Sequence, residues 1–185
     1  TLNMMDSLHT TGSYSDQEVQ LLEAEIVVRD VKKGDILLEV GEVCSSVYFL
    51  EKGAVYQYQL DKENEQQIID LNVPQDWIIN HQSFTSRKPS TYRIEVYEDS
   101  RIQMLSIDAI HALIAKSQAF LQMGILLEQA MARVRFFDQQ YTPDEKYQYV
   151  LKHQPALLQK FPQKILASYL KMTPETLSRV RKRVS

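Results

Sequence analysis

Four side chains near the end of this 185-residue chain have the types and the spacing to read a nucleic-acid duplex. Glu175, Ser178, Arg179 and Lys182 stand at i, i+3, i+4 and i+7, which places them on one face of a single helix. A carboxylate, a hydroxyl, a guanidinium and an ammonium in one row offer both acceptors and donors to base edges in a major groove. Thr173 is a favourable N-cap for that helix and Pro174 a favourable first residue. Thr173 and Thr176 complete the candidate contact set. Four of the five residues from Arg179 to Arg183 are basic. Structural duties alone are the competing account, with Glu175 complementing a helix N-terminus and the basic run a C-terminus.

Such a face needs a support, and the preceding residues supply one. Ile165, Leu166, Tyr169 and Leu170 recur at helical spacing and predict a short helix with one buried side. Leu177, Val180 and Val184 form the inner side of the second helix. Small Ala167, the turn at Lys171-Met172-Thr173, and Leu177 and Val180 beyond it have the internal spacing of a helix-turn-helix. One position departs from that pattern, because Lys171 occupies the turn site that favours glycine for its positive φ.

Charge is divided along the chain in the same sense. Overall the net charge is −3, yet from Gln139 onward there are 9 Lys/Arg against 3 Asp/Glu. A small basic unit on an acidic body is the footprint of a domain that touches phosphates attached to one that does not. Composition is otherwise ordinary, 44% hydrophobic and 24% charged, which excludes wholesale disorder. No apolar run approaches the ~20 residues that cross a bilayer, and Thr1–Ser15 lacks a signal-peptide pattern. A soluble, cytoplasmic protein without membrane contact is expected. The single cysteine, Cys44, excludes an internal disulfide.

Ahead of the basic unit, Thr1–Ser13 reads as a loose polar tail and Ser15-Asp16-Gln17-Glu18 as a capping box opening a short helix. From Glu25 to Ser106 the period becomes alternating. Ile26–Val31, Asp35–Val40, Ser46–Lys52, Ala54–Asp61, Glu65–Leu71, Tyr92–Tyr97 and Arg101–Ser106 read as strands, with Gly34, Gly41 and Gly53 at turns between them. Many short strands predict a β-roll or jelly-roll barrel. The irregular stretch Asn72–Thr91 interrupts them, and a rim excursion of that kind is where a ligand is most often held. Ile107–Ala115 reads as a helix. From Ser117 to Gln139 a longer helix carries Phe120, Met123, Leu127, Ala130, Val134 and Phe137 at alternating spacings of 3 and 4. That seam predicts a homodimer interface, with packing on the chain's own barrel as the alternative. Thr142-Pro143-Asp144-Glu145 opens a further helix. The fold class is α+β, with a sensor domain at 14–116, a dimerisation helix at 117–139 and a helix-turn-helix domain at 140–185.

In this order the elements resemble the cyclic-AMP receptor protein (Crp/Fnr) family of bacterial transcription regulators. Lys33-Gly34-Asp35, Val40-Gly41-Glu42, Val47-Tyr48-Phe49-Leu50 and Lys52-Gly53 are similar to the opening of a cyclic-nucleotide-binding barrel. Pro174-Glu175-Thr176-Leu177-Ser178-Arg179 is similar to the family's recognition-helix motif. The resemblance implies base contacts by Glu175, Ser178 and Arg179. It also implies a pseudo-palindromic duplex and RNA polymerase as partners, a small-molecule effector, no enzymatic activity and no permanent cofactor. The family's cyclic-nucleotide sites use a Gly-Glu turn and an Arg-Ser pair. Here those places read Gln75-Asp76 and Ser90-Thr91, leaving Arg87, Lys88 and Arg93 as substitutes for the phosphate-binding arginine. With Trp77 on the same stretch, Gln75, Asp76, Trp77, Arg87, Ser90, Thr91 and Arg93 form the expected effector set, for an effector other than cyclic AMP. The sequence ends soon after the recognition helix, so the β-wing that gives the family its winged-helix form is expected to be missing.

Other chemistries find little support. His9, His81, His111 and His153 lack metal-ligand spacing, and no nucleophile elbow, phosphate-cradling glycine loop or zinc signature occurs. Cys44 reads as a small filler near a turn. The rival from another class is a nucleotide- or small-molecule-binding regulatory module whose helical tail grips a protein partner.

Overall fold

A computed structural model describes residues 4–136 and 140–184. Strands β1 (Val27–Val31), β2 (Ile36–Leu38), β3 (Ser46–Leu60), β4 (Gln66–Asn72), β5 (Trp77–Ile78) and β6 (Arg93–Ser106) form one antiparallel sheet. Its main path is β1-β6-β3-β4, with β2 added to β6 and β5 to β3. The sheet curls into a roll around Phe49, Leu50, Val55, Ile78, Ile94 and Ile102, all buried.

The expected strand pairs Ser46–Lys52 with Ala54–Asp61, and Tyr92–Tyr97 with Arg101–Ser106, are in fact two long strands, β3 and β6. Gly53 is a kink within β3 and not a turn. Its φ is 102°, and the β3–β6 register slips repeatedly between Leu50 and Val55. A Cβ at this position would collide with Ser100 Oγ, so a side chain is excluded by space as well as by backbone conformation.

Helices cap the roll. The expected loose tail instead contains α1 (Met4–Leu8), whose Met4 and Leu8 are buried on the roll while Ser7 Oγ accepts a hydrogen bond from Trp77 Nε1 at 2.8 Å. The Ser15 capping box opens α2 (Asp16–Glu25) as its spacing predicts. The irregular stretch between β4 and β6 holds β5 and a short helix, α3 (His81–Ser86), which Asn80 caps by accepting from Ser83 N. Beyond β6 comes α4 (Ile107–Lys116).

The helix expected over 117–139 is a 3₁₀ segment, Gln118–Gly124, followed by α5 (Ile125–Arg135). Phe120, Met123 and Ala130, expected on a dimer seam, are buried in the chain's own roll core, and Leu127 packs partly against it. A 3-4 apolar spacing is satisfied by any apolar partner, and here the roll takes it. Val134 is half-buried, and Phe137 lies outside the described residues.

The last four helices are α6 (Pro143–His153), α7 (Pro155–Lys160), α8 (Gln163–Tyr169) and α9 (Pro174–Val184). They do not hang from a tether. Their core residues Val150, Leu166, Ala167, Leu170, Leu177 and Val180 share one apolar cluster with Tyr56, Tyr58, Ile68 and Leu71 of the roll. Tyr97 bridges the two, its ring 5.3 Å from Tyr56 and 4.9 Å from Phe161. Lys160 pairs with Glu98 at 2.7 Å. Ser168 Oγ accepts from Ile68 N at 3.0 Å and donates to Gln66 O at 3.1 Å, so α8 satisfies backbone groups along the outer strand β4.

Candidate nucleic-acid interface and an adjoining cavity

The candidate recognition unit is built from α8 and α9. Lys171 takes φ 56°, the left-handed conformation its place in the turn requires. The turn closes through Lys171 N donating to Ser168 O at 3.1 Å and Met172 N to Ala167 O at 3.0 Å. Lys146 Nζ, its pKa lowered by burial, donates to Leu170 O at 3.0 Å and so satisfies a carbonyl at the C-terminal end of α8. Thr173 Oγ1 accepts from Thr176 N at 3.1 Å and caps α9 as its residue type predicts. Leu177 and Val180 are buried beneath. Thr173, Glu175, Arg179 and Lys182 are exposed, and Thr176 and Ser178 are half-buried beside them.

The expected contact residues therefore share one face. Within it the Arg179 guanidinium donates to Thr176 Oγ1 at 3.2 Å. The other arginines of the basic run serve the fold. Arg183 pairs with Asp144 at 2.7 Å, and Arg181 lies over the Tyr147 ring and donates to Gln163 Oε1 at 3.4 Å.

The expected effector residues do not converge. Gln75 sits in a positive-φ turn and donates its N–H to Leu50 O, while Trp77 is held against Phe49 and Ser7. Asp76 Oδ2 accepts from Val73 N at 3.0 Å. Burial pushes its carboxyl up to about 6, against the pull of the Arg133 charge. Arg87 is spent on Cys44 O and Ser45 Oγ, and Arg93 on Glu39 and the Tyr58 hydroxyl. Ser90 closes its own turn by donating to Tyr92 O at 2.8 Å. Lys88 is exposed. Thr91 and Arg93 share a depression with Val40, Tyr58, Gln59 and Leu60. Spacing along one loop carries no information about which way a rim segment turns.

A cavity of about 150 Å³ lies elsewhere, where the roll, α5 and the α8–α9 turn meet. Gln57, Asn80, His81, Gln82 and Tyr92 line it from the roll, Val134 and Arg135 from α5, and Tyr169 and Lys171 from the recognition unit. Asn80 Nδ2 donates to Gln57 Oε1 at 2.7 Å. Among the described residues His81 Nε2 is buried without a hydrogen-bond partner, and burial, with the Arg135 charge, lowers the imidazole pKa. Behind this wall Arg133 makes two 2.8 Å hydrogen bonds to the fully buried Asp70 carboxylate and a third, at 2.9 Å, to Trp77 O. Burial opposes the Arg133 charge, but the Asp70 carboxylate overrides it and holds the guanidinium pKa up. Burial, and then Asp70, raises the Tyr169 hydroxyl. The sequence named Trp77, His81, Val134, Tyr169 and Lys171 for other roles and singled out neither Asp70 nor Arg133. Asp70 and Arg133 stand 63 positions apart, and nothing in their local patterns links them.

Comparison with known proteins places this architecture. Residues 28–117 match the family described as the cyclic nucleotide-binding domain. No curated protein matches the chain significantly by sequence. Among solved structures, FixK2 of Bradyrhizobium japonicum is similar with a TM-score of 0.72 and 16% identity, over 86% of this chain and 84% of that one. A regulator assigned to the crp/fnr family from Eubacterium rectale is similar at a TM-score of 0.64 and 15% identity, over 92% and 83%. The c-di-GMP-responsive global regulator CLP of Xanthomonas campestris is similar at 0.64 and 11%, over 92% and 91%. The roll is thus similar to a cyclic nucleotide-binding domain over residues 28–117, and the chain as a whole shares its fold with solved structures that include FixK2 and a regulator of the crp/fnr family.

Proposed function

We propose that this chain is a DNA-binding transcription regulator of the Crp/Fnr type, acting as a homodimer on a pseudo-palindromic duplex and answering to an effector other than cyclic AMP. One observation carries the reading. Glu175, Arg179 and Lys182 project together from a capped helix whose opposite side is buried, beside a turn of helix-turn-helix form. A face that mixes acceptor and donor groups selects bases, and the cations add sequence-independent attraction to phosphates.

Pairing of two copies would use the outward side of the 3₁₀–α5 segment. Leu121 is 61% exposed and Ile125 36%, and Gly124 and Ala132 are exposed with them. Two reading heads about one helical turn (~34 Å) apart would then meet successive major grooves. Selection of bound duplexes from a random pool tests this reading. Arg179→Ala should remove about 1–3 kcal/mol of base discrimination at one position of the selected site. Lys182→Ala should weaken all duplexes alike and lower the salt slope by about one unit. Unchanged affinity of Arg179→Ala for both selected and random DNA would refute the assignment of α9.

A further inference from the structure

We propose that the apolar pocket between the roll, α4 and the 3₁₀–α5 segment binds a small aliphatic molecule of about nine carbon atoms with one polar end. Val47 of β3, Phe120 of the 3₁₀ segment and Leu126 of α5 line it and belong to the buried core of the roll. The pocket therefore reaches from the surface inward to that core. Half-buried Phe84 of α3 and Ile110 and Ile114 of α4 stand along its walls. His111 and Leu121 line it as well and are exposed, which puts its mouth beside them.

The lining sets the character of the ligand. An internal water needs about three polar partners, and among the described residues His111 has the only polar side chain in the wall. Water gains little there, whereas an aliphatic chain exchanges its own hydration for contact with apolar side chains. A nucleotide is unsuited to it, since its phosphate would be buried against isoleucine and leucine at high cost. The volume sets the size. A dry cavity of about 150 Å³ lined by leucine, isoleucine and phenylalanine takes up benzene, with its six carbons, so about 220 Å³ has room for about nine. The polar end stays at the mouth, where the His111 imidazole can donate or accept a hydrogen bond.

Leu121 and Gly124 belong both to the pocket and to the surface assigned above to pairing, so a second copy laid along this segment crosses the mouth. Acting as a cover, it would strengthen ligand binding by the same factor by which the ligand strengthens pairing. The binding site stands on the pocket alone; that its ligand acts as the effector rests on the regulator reading above.

Titration calorimetry of the full chain with straight-chain alcohols tests the site. From 1-butanol to 1-octanol each methylene should tighten binding about fourfold, and 1-decanol should add little to 1-nonanol. Ile110→Phe and Ile114→Phe add ring volume to the wall at two positions and should each weaken 1-octanol binding about tenfold or more, with cooperative melting as the check on folding. Should an α4 variant fail to fold, the chain-length series still decides. Leu151→Ser, at an exposed leucine of α6, should leave binding unchanged. Absence of saturable binding, a gain in affinity that continues well past about nine carbons, an equal loss in Leu151→Ser, or binding undiminished in both α4 variants overturns the proposal. Sedimentation with and without 1-octanol addresses the rival occupant: an alcohol that separates paired copies shows that side chains of the second copy fill the pocket, and refutes the site. Saturable octanol binding by a chain that takes up no DNA would support the site and refute the regulator reading.

Discussion

Arg133→Met is the substitution whose cost follows most directly from the geometry. Methionine keeps a straight, apolar stem along α5 but removes the guanidinium, leaving the Asp70 carboxylate fully buried with the Asn72 amide at 3.3 Å. Breaking a buried ion pair from one side costs about 3–5 kcal/mol, because the survivor is neither solvated nor neutralised. Screening is slight here, since the Arg133 side chain is 19% exposed and that of Asp70 0%. Loss of the hydrogen bond to Trp77 O adds roughly 1 kcal/mol. Against a domain stability of roughly 5–15 kcal/mol, this is a large fraction. Trp77 is the only tryptophan, so its fluorescence reports urea unfolding at the site itself. The midpoint should fall sharply at constant slope. Arg133→Met combined with Asp70→Leu should recover most of the loss, because the pair is then replaced by apolar volume. A single variant within about 1 kcal/mol of the parent, or a double variant no more stable than the single, refutes this account of the junction.

Three further outcomes are expected. The folded Asp76 carboxyl, raised to about 6 from 3.8, holds its proton where the unfolded chain has lost it, so its contribution is greatest at acid pH. That contribution, about 3 kcal/mol in all, is lost as pH rises from 4 to 6, and Asp76→Asn should flatten this part of the stability profile. Gly53→Ala should destabilise by more than about 2 kcal/mol in a melting experiment, because a positive φ and the Ser100 side chain both oppose the added methyl. Ser168→Ala leaves Ile68 N and Gln66 O without their partner; a loss of about 1–2 kcal/mol and faster hydrogen exchange at the Ile68 amide are expected.

The α8–α9 helix pair was legible in the sequence because everything that defines it is local. Thr173 caps within three residues, Leu177 and Val180 alternate with Glu175, Ser178 and Arg179 within one helical period, and the Lys171 turn is set by its neighbours. The roll was legible as a class but not in its strand count. A glycine between two alternating runs has the same local pattern whether the chain turns or merely kinks. At Gly53 the choice is made by Ser100, far along the sequence. Within the expected 117–139 seam, Phe120, Met123 and Ala130 repeat as a dimer seam would, yet they are buried in the roll's own core, a contact that the spacing alone does not distinguish from pairing. Tyr56 and Tyr58 alternate along one strand and so share a face, but that this face lies beneath the α6–α9 unit depends on contacts that no window of sequence contains.

That shared face changes how a signal can pass. If the recognition unit were joined to the roll only through α5, an effector would have to move α5 in order to move α9. Here β4 touches α8 through Ser168, α5 touches β4 through Arg133 and Asp70, and Tyr169 stands at the junction of all three. A change at any one of these elements therefore bears on α9 through the other two, and only to the extent that it favours one setting of the α8–α9 turn over another.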